Sequence, residues 1–183
     1  MSEISERFQR VAAGFTARAE GVPEGGWESP APCEGWVARD VVRHLAEWGP
    51  DFFGERYGLE FGELPSVDDD PAAAWAAMRD VMQGALDDPE VAGREADGPM
   101  GRMSFEQIFA MIALPDVLVH TWDLARATGQ DDSLEPSEVT AMFEGMEPMD
   151  EAIRGSGMFG PRVPVPEDAD PQTKLIAFTG RQP

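Results

Sequence analysis

The stretch SFEQIFAMIALPDVLVHTWDLARATG, residues 104–129, constrains the fold more than any other part of the chain. Ser104 and Gln107 are spaced as a capping box, and Gly129 suits the position just past a helix C-terminus. Between them no polar face is left. Phe109, Ala113, Val117, Leu124 and Ala127 fall on one side, and Met111, Leu118 and Trp122 on the other. A helix that is apolar all round is either buried or covers a partner. It must be wrapped by other elements of the chain, or pair with a second copy as a homodimer. Pro115 lies inside it, removes a backbone donor, and predicts a kink one turn before His120.

Other segments carry helical spacing too. Residues 2–20 place Ile4, Phe8, Val11, Ala12, Phe15 and Ala19 on one stripe behind a Ser2 cap. A second helix is predicted from Val37 to Trp48, with Val37, Val41, Leu45 and Trp48 apolar and Asp40 in the first turn. Asp70-Pro71 opens a third, with Trp75, Met78, Met82 and Leu86 as its stripe. A further helix is expected from Ser137 to Arg154. The segments 22–36, 54–69 and 87–103 read as loops, and 157–183 as a mostly irregular tail with one short turn, TKLIAF. No convincing period-2 strand pattern is present, and VPVP cannot be a central strand. The expected class is all-α: four main helices in a bundle with a short additional helix.

The charge, 35 acids against 14 bases, disfavours nucleic acid and anionic membrane as partners, since both require a basic footprint. One cysteine, Cys33, excludes an internal disulfide and any multi-cysteine zinc site. The N-terminus lacks the pattern of a signal peptide, and no apolar run reaches the roughly 18 residues of a membrane helix. A cytoplasmic protein is expected.

Two histidines occur, and both fall on inward stripes. On the long helix, Asp116 lies about 40° and Asp123 about 60° from His120, all on the interior side. His44 shares its stripe with Val37, Val41 and Trp48. If these helices are neighbours, two imidazoles and the Asp116 carboxylate converge, a ligand set suited to zinc or to a facial iron site with open positions. The alternative is a pair of core histidines hydrogen-bonded to carboxylates. A second Asp-x-x-x-His, Asp40 to His44, reads as an acid in a first helical turn. Asp123, unfavourably near a helix C-terminus, is expected to support His120 or a neighbouring helix rather than bind metal. Cys33 reads as a small buried residue, with a reactive thiol as the alternative. No nucleophile triad, Walker loop or dinucleotide fingerprint is present.

Three blocks, APCEGWVARDVVRHLAEW, DVLVHTWDLARATG and ADPQTKLIAFTGRQP, resemble in order the signatures of an actinobacterial metal-binding family. That family is related to the N-terminal domain of mycothiol-dependent maleylpyruvate isomerase and belongs to the DinB-like superfamily. The resemblance implies a single DinB-like metal-binding domain over residues 1–183. It implies a divalent metal, zinc or nickel, held by His44, Asp116 and His120. It further implies a small thiol such as mycothiol as cofactor or co-substrate, transferred to an electrophilic substrate. The isomerase carries Glu where this chain has Asp116, one methylene longer. It also has a second domain beyond the point where this chain ends, so isomerisation itself is not expected. The alternatives are a hydrolase using metal-bound hydroxide, with Asp123 as the candidate base, and a non-catalytic metal- or ligand-binding module.

Overall fold

The computed structural model describes residues 1–98, 101–156 and 159–183. Pro99 and Met100 of the expected loop, and Gly157 and Met158 of the expected tail, lie outside the described residues. The class is all-α with one small hairpin, consistent with a DinB-like bundle.

Helix α1 (Glu3–Glu20) starts where the Ser2 side chain accepts the Ser5 N–H, and it buries Phe8, Val11, Ala12, Phe15 and Ala19 as spaced. Helix α2 begins at Ala38, where the Asp40 carboxylate accepts the Val37 N–H at 3.0 Å. That interaction explains Asp40 without a metal. The helix does not stop at Trp48 but runs through Pro50 to Tyr57. Proline in a helix interior costs about 3 kcal/mol. Here Phe53 and Tyr57 extend the Leu45 stripe at four-residue intervals into the core, and that burial outweighs the lost donor. Gly58, at φ 65°, ends the helix in a left-handed turn. Helix α3 (Pro71–Asp87) starts on the Asp70 cap as expected.

The loop expected at 87–103 contains a short helix, α4 (Pro89–Ala92), and an antiparallel hairpin, β1 (Glu95–Gly98) with β2 (Gly101–Ser104). These strands are mostly exposed, so no alternating apolar pattern marks them in the sequence. They feed the Ser104 capping box, and the Phe105 N–H reaches the Arg94 carbonyl at 2.9 Å.

The long helix forms in three pieces: α5 (Phe105–Ile108), a π-helical turn (Phe109–Ala113) and α6 (Leu114–Thr128). The Leu114 N–H bonds five residues back to Phe109, and this widened turn directly precedes Pro115. The irregularity that Pro115 demands is thus met by a π-turn. The composite helix Phe105–Thr128 is long and apolar enough to cross a membrane by length and composition, which corrects the reading that no run reaches that length. Most of it is buried inside the bundle. Four long helices pack in a ring, with α1 and α2 each beside both α3 and α6. On the second apolar face Leu118 and Trp122 are buried, with α1 and α7 (Pro136–Met146) packed on α6, while Met111 is left exposed.

The helix expected over 137–154 breaks into α7, a 3-10 turn at Glu147–Met149 and α8 (Asp150–Ser156), because Pro148 supplies no donor. Buried Glu138 ties α7 to α1 through Arg7 at 2.7 Å and Arg10 at 3.1 Å. The tail is irregular over 159–170 as expected, and its short turn is a docked helix. Residues 171–178 form a capped helix, α9 (Pro171–Phe178), packed on α7, with Leu175, Ile176 and Phe178 fully buried. Leu175 and Ile176 belong to the same core cluster as α1, α2 and α6.

A terminal segment that completes a core should cost as much to truncate as a central helix. Ile176→Ala is expected to destabilise by about 2–5 kcal/mol, measured as a lowered urea midpoint at unchanged slope. A loss within about 0.5 kcal/mol would place the segment outside the cooperative unit.

Candidate metal centre

Helices α2 and α6 are neighbours, and this adjacency brings His44 opposite Asp116 and His120. His44 Nε2 lies 2.9 Å from Asp116 Oδ2, and His120 Nε2 lies 3.3 Å from Asp116 Oδ1. The two imidazole rings stand 4.8 Å apart, nearly edge to face. One donor atom from each residue fits within 4.8 Å of the others. Two donors bound tetrahedrally at about 2.1 Å from one ion would be about 3.4 Å apart. The three side chains already stand at that scale, with the carboxylate between the two rings.

His120 is fixed from behind. Its Nδ1–H donates to Asp123 Oδ2 at 2.8 Å, which turns Nε2 toward Asp116. Metal-binding histidines almost always donate the second ring N–H in this way. Asp123 is fully buried, and Arg181 meets it with Nε and Nη2, each at 2.7 Å. The sequence expectation of a supporting role for Asp123 matches this geometry. Its candidacy as a general base does not, because both oxygens are occupied and neither reaches solvent. Arg181 was not singled out in the sequence. It lies in the last three residues, and only the docking of α9 carries it to the site.

Burial by itself would raise the Asp116 carboxyl, but the charge and hydrogen bond of His120, with His44 beside it, hold it well below the usual carboxylate range. Burial would lower the His120 imidazole, yet Asp116 and Asp123 push it well above its ordinary value. Burial would also raise Asp123, and hydrogen bonds from His120 and Arg181 lower it instead. Burial opposes the Arg181 charge, and Asp123 raises its pKa nonetheless. These groups act as one coupled network.

Cys33 is half-buried, with its Sγ 3.5 Å from both Asp123 Oδ2 and Arg181 Nη2. Cys33, His120 and Asp123 form a second set of donors close enough for a metal. There the Arg181 guanidinium already supplies the cation that Asp123 requires. Above the triad, Trp36 stacks on His120 at 5.8 Å and 18°, and Trp48 on His44 at 6.1 Å and 17°. The triad opens into a cavity of about 490 Å³, within the range of small-molecule sites.

Removing Arg181 should expose how much depends on this pair. Arg181→Met leaves a buried carboxylate without its cation and is expected to cost about 3–5 kcal/mol, with much of the loss recovered in the double variant with Asp123→Asn. The pH dependence has a definite sign. The folded pKa of Asp123 is depressed, so its contribution is present above about pH 4 and is lost as pH falls toward the folded value. Acid unfolding followed by circular dichroism should be shallower in Asp123→Asn.

Residues 8–53 match the family model described as the mycothiol maleylpyruvate isomerase N-terminal domain. The chain is 30% identical over 175 residues to two Mycobacterium tuberculosis proteins, uncharacterized protein MT0763 of strain CDC 1551 and uncharacterized protein Rv0738 of strain H37Rv. The alignment covers 94% of this chain and 94% of each relative. No solved structure matches the chain at a significant level.

Proposed function

Because the chain belongs to the mycothiol-related, DinB-like family of the mycothiol maleylpyruvate isomerase N-terminal domain, we propose that it is a divalent-metal enzyme. In this proposal His44, Asp116 and His120 hold zinc or nickel, and a small thiol such as mycothiol is joined there to an electrophilic substrate. The observation that carries it is the His44–Asp116–His120 convergence, with His120 locked by Asp123 on its far nitrogen. Bound there, a divalent ion would lower the pKa of a coordinated thiol and keep it as thiolate.

The chain's own residues supply the rest. Asp123 and Arg181 fix the tautomer and direction of His120. Trp36 and Trp48 pack against the two imidazoles and limit their rotation. The apolar walls of the cavity exclude bulk water from a reactive thiolate. The cytoplasm, which keeps small thiols reduced, is the compartment this chemistry suits. Hydrolysis is disfavoured because no free carboxylate or imidazole stands ready as a base among the residues lining the cavity, Asp116 and both histidines being the proposed ligands.

Purified protein without a histidine tag is expected to carry about one equivalent of zinc or nickel by elemental analysis, lost in His120→Ala and in His44→Ala. Repeated absence of metal after both ions are supplied would overturn the proposal. Affinity should also depend on pH. The metal binds neutral imidazole, and His120 holds its proton well above the ordinary range. Affinity should therefore fall about tenfold per unit as pH drops below that raised value, measured by chelator competition. A cobalt-substituted sample titrated with a small thiol tests the thiol separately: a sulfur-to-cobalt charge-transfer absorption is expected, and its absence would remove the thiol.

A further inference from the structure

We infer that the cavity is built to hold a flat aromatic co-substrate, extending from the triad along one face of α2. This rests on the metal-site proposal for its polar end and on independent geometry for its body. His44, Trp48 and Phe52 follow one another at four-residue intervals, so all three occupy one stripe of α2, about 12 Å long at 1.5 Å per residue. Their rings are nearly parallel. His44 and Trp48 lie 6.1 Å apart at 17°, and Trp48 and Phe52 lie 5.3 Å apart at 20°. Arg56, one turn further, sits 4.3 Å over the Phe52 ring and continues the stack.

This stripe behaves differently from its neighbour on the same helix. Leu45, Phe53 and Tyr57 are sealed in the core, while Trp48 and Phe52 remain partly exposed and line the cavity. Facing them are Met111 and Ile112 from the π-turn and Met146 from α7. Thioether side chains adapt to flat ligands and make favourable contacts with ring edges. Met111 is 42% exposed, unusual for a large apolar side chain on the central helix.

The polar side chains that line the cavity, Cys33, Asp116, Arg181 and the two histidines, cluster at the triad. A planar ring would meet the edges of Trp48 and Phe52 in edge-to-face contact, with its head at the triad. The volume of about 490 Å³ far exceeds what one water needs and suits a ligand of one or two rings.

Hydroxamates separate the two ends of the site, because they share one coordinating head and differ only in body. Acetohydroxamate, benzohydroxamate and 2-naphthohydroxamate would be titrated calorimetrically into the zinc-loaded full chain. The aromatic members are expected to bind at least about tenfold more tightly than acetohydroxamate. Phe52→Leu, two turns from the triad, should shrink that advantage several-fold while zinc content stays at one equivalent. Equal affinities for all three would overturn the aromatic inference and leave the metal site standing. If the chain takes up no zinc, or holds it and binds no hydroxamate, the site offers no open coordination position for the head. Then 2-naphthol titrated into the metal-free chain decides the inference alone. Saturable binding, weakened in Phe52→Leu, would uphold the aromatic wall, and no binding would overturn it.

Discussion

Asp123 is a carboxylate with no access to water, placed near the C-terminal end of an apolar helix, where the helix dipole disfavours it. An unpaired charge at such a place would cost several kcal/mol, so its two partners are obligatory. One is the His120 imidazole, a turn away on the same helix. The other is Arg181, carried in from the far end of the chain. Satisfying this one group therefore fixes the orientation of a proposed metal ligand and docks the C-terminal segment. The site and the tail are not separable features. A chain that failed to place α9 would leave the carboxylate behind His120 buried without its cation.

The central helix imposes the second constraint. Its apolar surface requires cover on every side, and the bundle provides it with α1, α2 and α7 around α6. Sequential helices α1 and α2 both flank α6, so the two jaws of the site come from elements 72 residues apart at His44 and Asp116. The π-turn before Pro115 shows how a breaker is absorbed without ending the helix. It leaves Met111 and Ile112 on the cavity wall and keeps Asp116 one helical turn from His120.

Aromatic residues divide between two tasks. Phe53, Tyr57, Phe105 and Phe109 form a contiguous buried cluster with ring centroids 5.4–6.2 Å apart, and they stabilise the bundle. Trp36, Trp48 and Phe52 lie one face away and stay partly open. The same helix α2 contributes to both sets, separated by a rotation of about 100° per residue. That small rotation is what distinguishes a core from a binding wall.

The helices and the inward direction of the key residues were legible from the chain alone, because 3.6-residue periodicity and caps such as Ser2, Asp70 and Ser104 are local physics. The three blocks around His44, His120 and Asp170 also carried the family resemblance. Local signals misled where long-range burial outweighed them. Pro50 did not end α2, because Phe53 and Tyr57 gain more from the core than the missing donor costs. Pro148 did break the last long helix, where exposed neighbours offered no compensation. The hairpin was invisible because its strands bury almost nothing. Three things came from long-range packing alone: α2 stands beside α6, residues 171–178 belong to the core, and Arg181 meets Asp123. These are pairings between distant segments, and no spacing within either segment encodes which partner it will find.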